Sequence, residues 1–209
     1  MKIRYIVILI CILTNIQHIN SQQSTKYTSI WSDNFSANPH NWPLTNSEGA
    51  KLEVRNNKYY FEHKRKKGGW TSSKIIKLNT SKDFKIEAKF LKISGINNNG
   101  FGLVFGRKDS QNQFLFTITS NGNYSIDKYK NNVLSELKKW TESSSIKKGN
   151  YAYNTLKIIK KKAFLRFYIN NEYVQSIRFQ DFMGDRIGFI VYHTQKVAID
   201  NFDVSYTST

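Results

Sequence analysis

Phe84-Lys-Ile-Glu-Ala-Lys-Phe90 sets Phe84, Ile86, Ala88 and Phe90 against Lys85, Glu87 and Lys89. A period of two is the spacing at which successive side chains leave opposite faces of a strand, whereas a helix needs apolar residues three and four apart. The stretch therefore predicts a strand with one buried and one solvated face, as in an antiparallel sheet. The same rhythm recurs on both sides of it and predicts strands at 50–54, 59–63, 74–78, 100–107, 113–119 and 124–129. Further strands are predicted at 155–160, 164–169, 173–179, 187–192 and 197–204. Asn121-Gly122 is the strongest hairpin signal between them. Asn56-Asn57, Asn131-Asn132 and Asn170-Asn171 mark similar turns, because Asn tolerates the left-handed conformation. Only 133–140 is open to a helical reading, and its apolar spacing is too short to support one. Many short strands without a helical period define an all-β protein, an antiparallel β-sandwich or barrel.

Two runs break the alternation. Phe101-Gly-Leu-Val-Phe105 and Ile187-Gly-Phe-Ile-Val-Tyr192 are apolar throughout, which predicts central strands whose second face is covered or lines a groove. In a sandwich such a groove is the natural place for a ligand.

The chain of 209 residues is long enough for one domain with a sizeable core. Aromatics at 14% and hydrophobic residues at 39% exclude disorder and collagen-like repetition. A single Cys excludes a disulfide framework or a Cys-rich zinc site. Residues 1–21 read as a secretory signal, with Lys2 and Arg4 ahead of the apolar run 5–13, which is too short to span a bilayer, and small Ser21 near the expected cleavage. An uncleaved anchor and a lipoprotein built on Cys11 are the rival readings, the second opposed by Ile10 where a small residue is wanted. The expected organisation is a signal at 1–21, a short segment at 22–28, one sandwich at 29–206 and a tail at 207–209. No later segment is apolar enough to cross a membrane as a helix, so a secreted protein is expected, extracellular or at a bacterial periplasm or cell surface.

Several weak motifs in one order carry a family resemblance. They are Asp33-Asn-Phe35 followed by Trp42, Gly100-Phe-Gly-Leu-Val-Phe-Gly106 and Phe164-Leu-Arg-Phe-Tyr-Ile-Asn170-Asn-Glu-Tyr173-Val. Gly184-Asp-Arg-Ile-Gly188-Phe and Ile199-Asp-Asn-Phe-Asp-Val204 complete the series. The chain resembles the 3-keto-disaccharide hydrolase domains, within the concanavalin A-like lectin-glucanase (laminin G-like) class. The resemblance implies a jelly roll of two curved sheets, found as accessory sugar-binding domains and, in a subset, as glycoside hydrolases. No catalytic motif of that family maps onto this chain.

Glycoside cleavage uses two carboxylates roughly 5–10 Å apart, and no acidic pair stands at i,i+2 anywhere in the chain. Asp200 and Asp203 fall on opposite faces of a strand by simple alternation, and Glu62 with Glu87 is the pair that two different strands would have to assemble. His40, His63 and His193 show no metal-ligand spacing. No cofactor is expected. Structural calcium stays open because sandwiches of this class sometimes bind it, with Asp33, Asp109 and Asn112 as oxygen donors.

Twelve Tyr and four Trp are the more informative inventory, since their polar tips must be satisfied if buried. Trp31 and Trp42 read as core. Trp70 and Trp140 read as loop-proximal, either platforms for the apolar face of a sugar ring or caps over the sandwich end. Arg107, Asp109, Tyr129 and His193 complete the candidate carbohydrate-binding set, with Arg, Asp or Lys bonding the hydroxyls. The formal net charge is +17. Lys64-Arg-Lys-Lys67 and Lys160-Lys-Lys162 either bind a polyanion or protect sheet edges from pairing. The expected partner is a glycan or another extracellular polymer, not intracellular nucleic acid, for which no recognition motif is present. Nothing in the chain specifies an oligomeric state. The favoured expectation is a secreted, non-catalytic carbohydrate-binding β-sandwich; a glycoside hydrolase of the 3-keto-disaccharide type and a polyanion-binding adhesin or envelope component are the alternatives.

Overall fold

A computed structural model describes residues 26–207; the signal reading of 1–21 lies outside the described residues. Fifteen strands, numbered in chain order and all paired antiparallel, form two sheets. The larger runs β13 (Glu172–Arg178), β12 (Phe164–Ile169), β11 (Tyr153–Lys161), β6 (Phe84–Gly95), β15 (Gln195–Thr207), β4 (Lys58–His63), β3 (Ala50–Arg55) and β2 (Thr45–Asn46), with β1 (Tyr27–Asp33) also paired to β15. The smaller runs β10 (Val133–Glu142), β9 (Asn123–Lys130), β8 (Asn112–Thr119), β7 (Gly100–Asp109), β14 (Arg186–Tyr192) and β5 (Gly69–Ile75). This is a β-sandwich, as the alternation predicts.

The inward rows meet in one core. Phe84, Ile86, Ala88 and Phe90 of β6 are fully buried, and Phe90 packs on Phe101 and Phe189 of the opposite sheet at ring distances of 6.0 and 5.8 Å. The two apolar runs are β7 and β14, adjacent strands inside the smaller sheet. Their outward residues Val104 and Ile190 join Leu115 of β8 in a second apolar patch, against which Tyr129 and Tyr192 pack. The Asn pairs work as the turn chemistry requires: Asn56, Asn57, Asn131, Asn132, Asn170 and Asn171 all have positive φ, the backbone of tight hairpins whose twist matches the strands.

Four sequence readings need correction. The strand expected at 74–78 is Gly69–Ile75; Ile76 and Leu78 supply apolar alternation from a loop that plugs into the core. The stretch 133–140 is neither helix nor loop but most of edge strand β10. Tyr27–Asp33 is a strand that alternation alone passes over, because its residues are mostly exposed. Asp200 and Asp203 share a face, since a register shift in β15 between Ile199 and Asn201 inserts one residue. Asp200 then pairs with Lys58 and Lys89 and Asp203 with Lys85, all on the outer side of the larger sheet.

One inward position of β6 is polar. Lys92, the next inward residue after Phe90, is only 1% exposed. Its Nζ donates to Ile96 O and Gln195 Oε1, each at 2.9 Å. Gln195 in turn donates to Gly100 O and Tyr192 O, tying the ends of β7 and β14 together. Burial lowers the Lys92 ammonium to about 8. The unfolded chain keeps that proton up to the ordinary lysine range, so this group makes stability climb as pH rises from about 8 to 10. Above about pH 10 the hydroxyls of Tyr59 and Tyr192, both pushed up by burial, oppose the trend, because only the unfolded tyrosines then ionise. The urea midpoint should rise across the lower window and Lys92→Met should flatten that rise. A flat wild-type profile would show that Lys92 is not the titrating group.

Candidate functional site

The outward face of the smaller sheet holds a groove of about 360 Å³. Its walls are set by the edge strand. β10 is three strands from β7 in the sheet order, a separation of roughly 14 Å if the sheet were flat. Yet the Trp140 ring of β10 lies 3.3 Å from where a Cβ on Gly100 would stand, and Tyr192 of β14 lies 3.4 Å from the same point. The sheet therefore curls, and β10, still paired to β9 as its edge strand, brings the indole across the outward face. Register shifts between Glu136 and Lys138 and between Lys138 and Thr141 supply the bend. Gly100 has no side chain, so the two aromatic rings close in over its backbone. Trp140 remains 48% exposed.

The floor is acidic. Asp127 on β9 stands directly opposite Glu136 on β10, and both line the groove. Ser125 donates to Asp127 Oδ2 at 2.9 Å. With its proton so used, Ser125 accepts from Thr117 at 2.9 Å. Burial raises the Asp127 carboxyl above its ordinary range; Ser125 opposes the rise and the Glu136 charge adds to it. Burial also raises the hydroxyls of Tyr129 and Tyr192, with Asp127 contributing to both. No lysine or arginine is among the groove's lining residues in the described part of the chain.

A carboxyl whose folded value is raised costs stability progressively as pH climbs from its ordinary value to the folded one, and the full cost is present above that. Asp127→Asn should therefore melt at a higher temperature than wild type at pH 7. The difference should close toward pH 3–4, where the unfolded carboxyl is also protonated by its ordinary value of about 3.9. Melting curves across that range test it, and an Asn variant that is less stable at pH 7 would contradict it.

Beyond Asn99 and His193 the groove opens into a second hollow of about 670 Å³, lined also by Lys66 and Ile96. His193 holds its rim. The Nδ1–H donates to Lys66 O at 2.9 Å and the backbone N–H to Gly68 O at 3.0 Å. His63 donates its Nδ1–H to His193 O at 2.9 Å. The Lys64-Arg-Lys-Lys67 loop is thereby pinned beside the groove. Lys160 and Lys162 are tied down differently: Lys160 pairs with Asp83 at 3.7 Å and the Lys162 N–H caps the same carboxylate at 2.7 Å.

Of the six sequence candidates, Tyr129, Trp140 and His193 come together on the groove. Trp70, Arg107 and Asp109 do not. Trp70 sits on β5 opposite core-facing Val191 and packs against the core, its ring within 2.7 Å of a Cβ position on Gly49 beside Arg65; it is a cap. Arg107 lies seven residues along β7 from Gly100, opposite Arg186, and burial followed by the Arg186 charge lowers its guanidinium. Asp109 closes the β7–β8 turn, accepting from Gln111 N–H at 2.9 Å and Asn112 Nδ2 at 3.0 Å.

The proposed calcium donors do not converge. Asp33 is committed to Phe35 N–H and Trp42 Nε1–H at 2.7 and 2.8 Å, and Asp109 and Asn112 bond each other on the other sheet. No cluster of three or more acids, His or Cys suited to a metal occurs among the described residues. Glu62 and Glu87 pair with Lys196 and Lys85 at 3.6 and 3.5 Å and make no cleft. Sequence reasoning missed Asp127, Glu136 and Tyr192. The signal for the acids was present: with Asn131-Asn132 as a two-residue turn, counting outward pairs Asp127 with Glu136.

No protein-family model matches the chain, and no curated protein matches it. Solved structures are similar. They include the carbohydrate-binding module CBM66 from Bacillus subtilis, with a TM-score of 0.51 and 14% identity over 87% of this chain and 96% of that one. A conserved carbohydrate esterase from the Shiga toxin-encoding bacteriophage phi24B gives 0.60 and 12% over 88% of this chain and 100% of that one. A Bacillus subtilis protein of unknown function with a galectin-like fold gives 0.59 and 11% over 88% and 100%. At such identities the likeness is one of fold. The chain is a galectin-like, jelly-roll β-sandwich. The resemblance to the 3-keto-disaccharide hydrolases stands at the level of this fold and no finer.

Proposed function

We propose that the protein is a carbohydrate-binding β-sandwich that holds a saccharide in the groove between β10 and the outward face of its smaller sheet. The observation that carries this reading is the bent edge strand, which aims a half-exposed Trp140 across the sheet toward Tyr192 over the bare backbone of Gly100. A sugar ring offers an apolar C–H face for the indole and hydroxyls for the carboxylates and Asn99, the mix of apolar walls and few polar groups that small-ligand sites use. Structures of similar fold include a carbohydrate-binding module and a carbohydrate esterase. The reading carries export with it, through the leader read in residues 1–21; no described helix is long and apolar enough to cross a membrane.

A glycan-array screen of the purified domain tests the proposal, with retention of at least one saccharide class expected and a blank array fatal to it. Hydrolysis has one observation in its favour, the facing carboxylates of Asp127 and Glu136. Opposed residues on neighbouring strands have Cβ atoms roughly 4.5–5.5 Å apart, a spacing compatible with the separations used in glycoside cleavage. Release of reducing sugar from a bound oligosaccharide would convert binding into turnover.

A further inference from the structure

Asp127 and Glu136 stand directly opposite each other in a strongly basic molecule. Lysine and arginine outnumber acids by 32 to 15, and acids on the outer sheet are neutralised: Glu53 by Lys51 at 2.9 Å, Asp200 by Lys89 at 2.8 Å, Asp203 by Lys85 at 3.2 Å. Among the described residues neither Asp127 nor Glu136 has a basic partner within ion-pair distance. They face each other instead, and like charges directly opposed across two strands are destabilising. Partial burial of Asp127 deepens the repulsion. In a cleft with low-dielectric walls, charge of one sign also focuses the local field. The groove is thus a negative slot in a cationic protein, flanked by the faces of Trp140, Tyr129 and Tyr192.

Three ligand chemistries can be compared at this slot. A polyanionic glycan is repelled by the floor. A neutral sugar stacks but leaves the two carboxylates opposed. An ammonium relieves them, donates charge-assisted hydrogen bonds to both, and gains from the aromatic faces beside it. Resting on the glycan reading above, we propose that the groove selects a saccharide bearing a free amine, a de-N-acetylated hexosamine whose ring stacks on Trp140 while its ammonium bridges Asp127 and Glu136.

The test is calorimetric titration at pH 6 with three oligomers of equal length and linkage: the β-1,4-linked tetramers of glucosamine, N-acetylglucosamine and glucose. The glucosamine tetramer should bind at least about tenfold more tightly than the other two, even though the protein as a whole is positive. Removing one charged partner from such a bond is worth about tenfold to a hundredfold. The Asp127→Asn/Glu136→Gln variant, with its melting temperature recorded as a fold check, should lose the preference and bind all three tetramers alike through the remaining stack. Equal wild-type affinities would overturn the amine selectivity and leave the glycan reading intact. A preference that survives in the double variant would overturn it as well. So would neutral-sugar binding that requires added calcium and disappears in the variant, which would give the two acids to a metal ion. Failure of every tetramer together with a blank glycan array would remove the glycan reading itself.

Discussion

Trp42→Ala should lower the melting midpoint by on the order of 10 °C. Trp42 is 1% exposed and stands at the hub of the aromatic core, with ring centroids at 4.9 Å from Phe189, 5.6 Å from Tyr59 and 5.8 Å from Phe35 and Phe202. Truncating a buried Trp costs about 3–5 kcal/mol through lost transfer energy and the cavity left behind. Its indole N–H is also the donor to Asp33 Oδ2 at 2.8 Å, so the change strands a buried carboxylate oxygen. For a domain of this size each kcal/mol moves the midpoint by roughly 2–4 °C. Trp42→Phe should fall between, restoring most of the packing but not the hydrogen bond. A midpoint within a degree or two of wild type for the alanine variant would refute the hub.

Trp140→Ala should act in the opposite register. With 48% of the residue exposed and an edge strand beneath it, its removal should leave the midpoint almost unchanged, as for surface positions generally. Binding should weaken by about thirtyfold or more, since an aromatic anchor in a recognition site is commonly worth 2 kcal/mol or above. Trp70→Ala is the matched contrast: destabilised through its core contacts, with ligand affinity kept. If Trp140→Ala lost stability and affinity together, Trp140 would be structural and the groove reading would lose its anchor.

The legible parts of the sequence were those governed by local physics. The alternation of β6 reports burial directly, and the Asn pairs report backbone that few other residues tolerate. Asp33-Asn-Phe35 and Trp42 were legible as a motif, and the hydrogen bonds from Phe35 N–H and Trp42 Nε1–H explain its spacing: it locks the first strand to the core. What alternation could not supply was anything set by the bending of β10. Its exposed residues carry no core pattern, so neither its strand character nor the approach of Trp140 to Gly100 across three strands could be read locally. Trp70 and Trp140 look alike in sequence, each beside a flexible or charged dipeptide. They differ only because β5 turns its tryptophan inward and β10 turns its own over the outer face. Arg107 and Asp109 fell outside the groove for a related reason, since a strand long enough to carry Gly100 at one end places its other end out of reach.

The arrangement of β15 has a temporal consequence. The last strand along the chain occupies the middle of the larger sheet, with Tyr206 beside Phe84 on one flank and Thr207 beside Tyr27 on the other. A ribosome or channel delivering this polypeptide N-terminus first must release it through β15 before that sheet can knit, because the earlier strands have no continuous template to join. Contacts so distant in sequence also slow closure to the millisecond-to-second range typical of sandwiches. The nascent chain is thus kept pliable until β15 emerges.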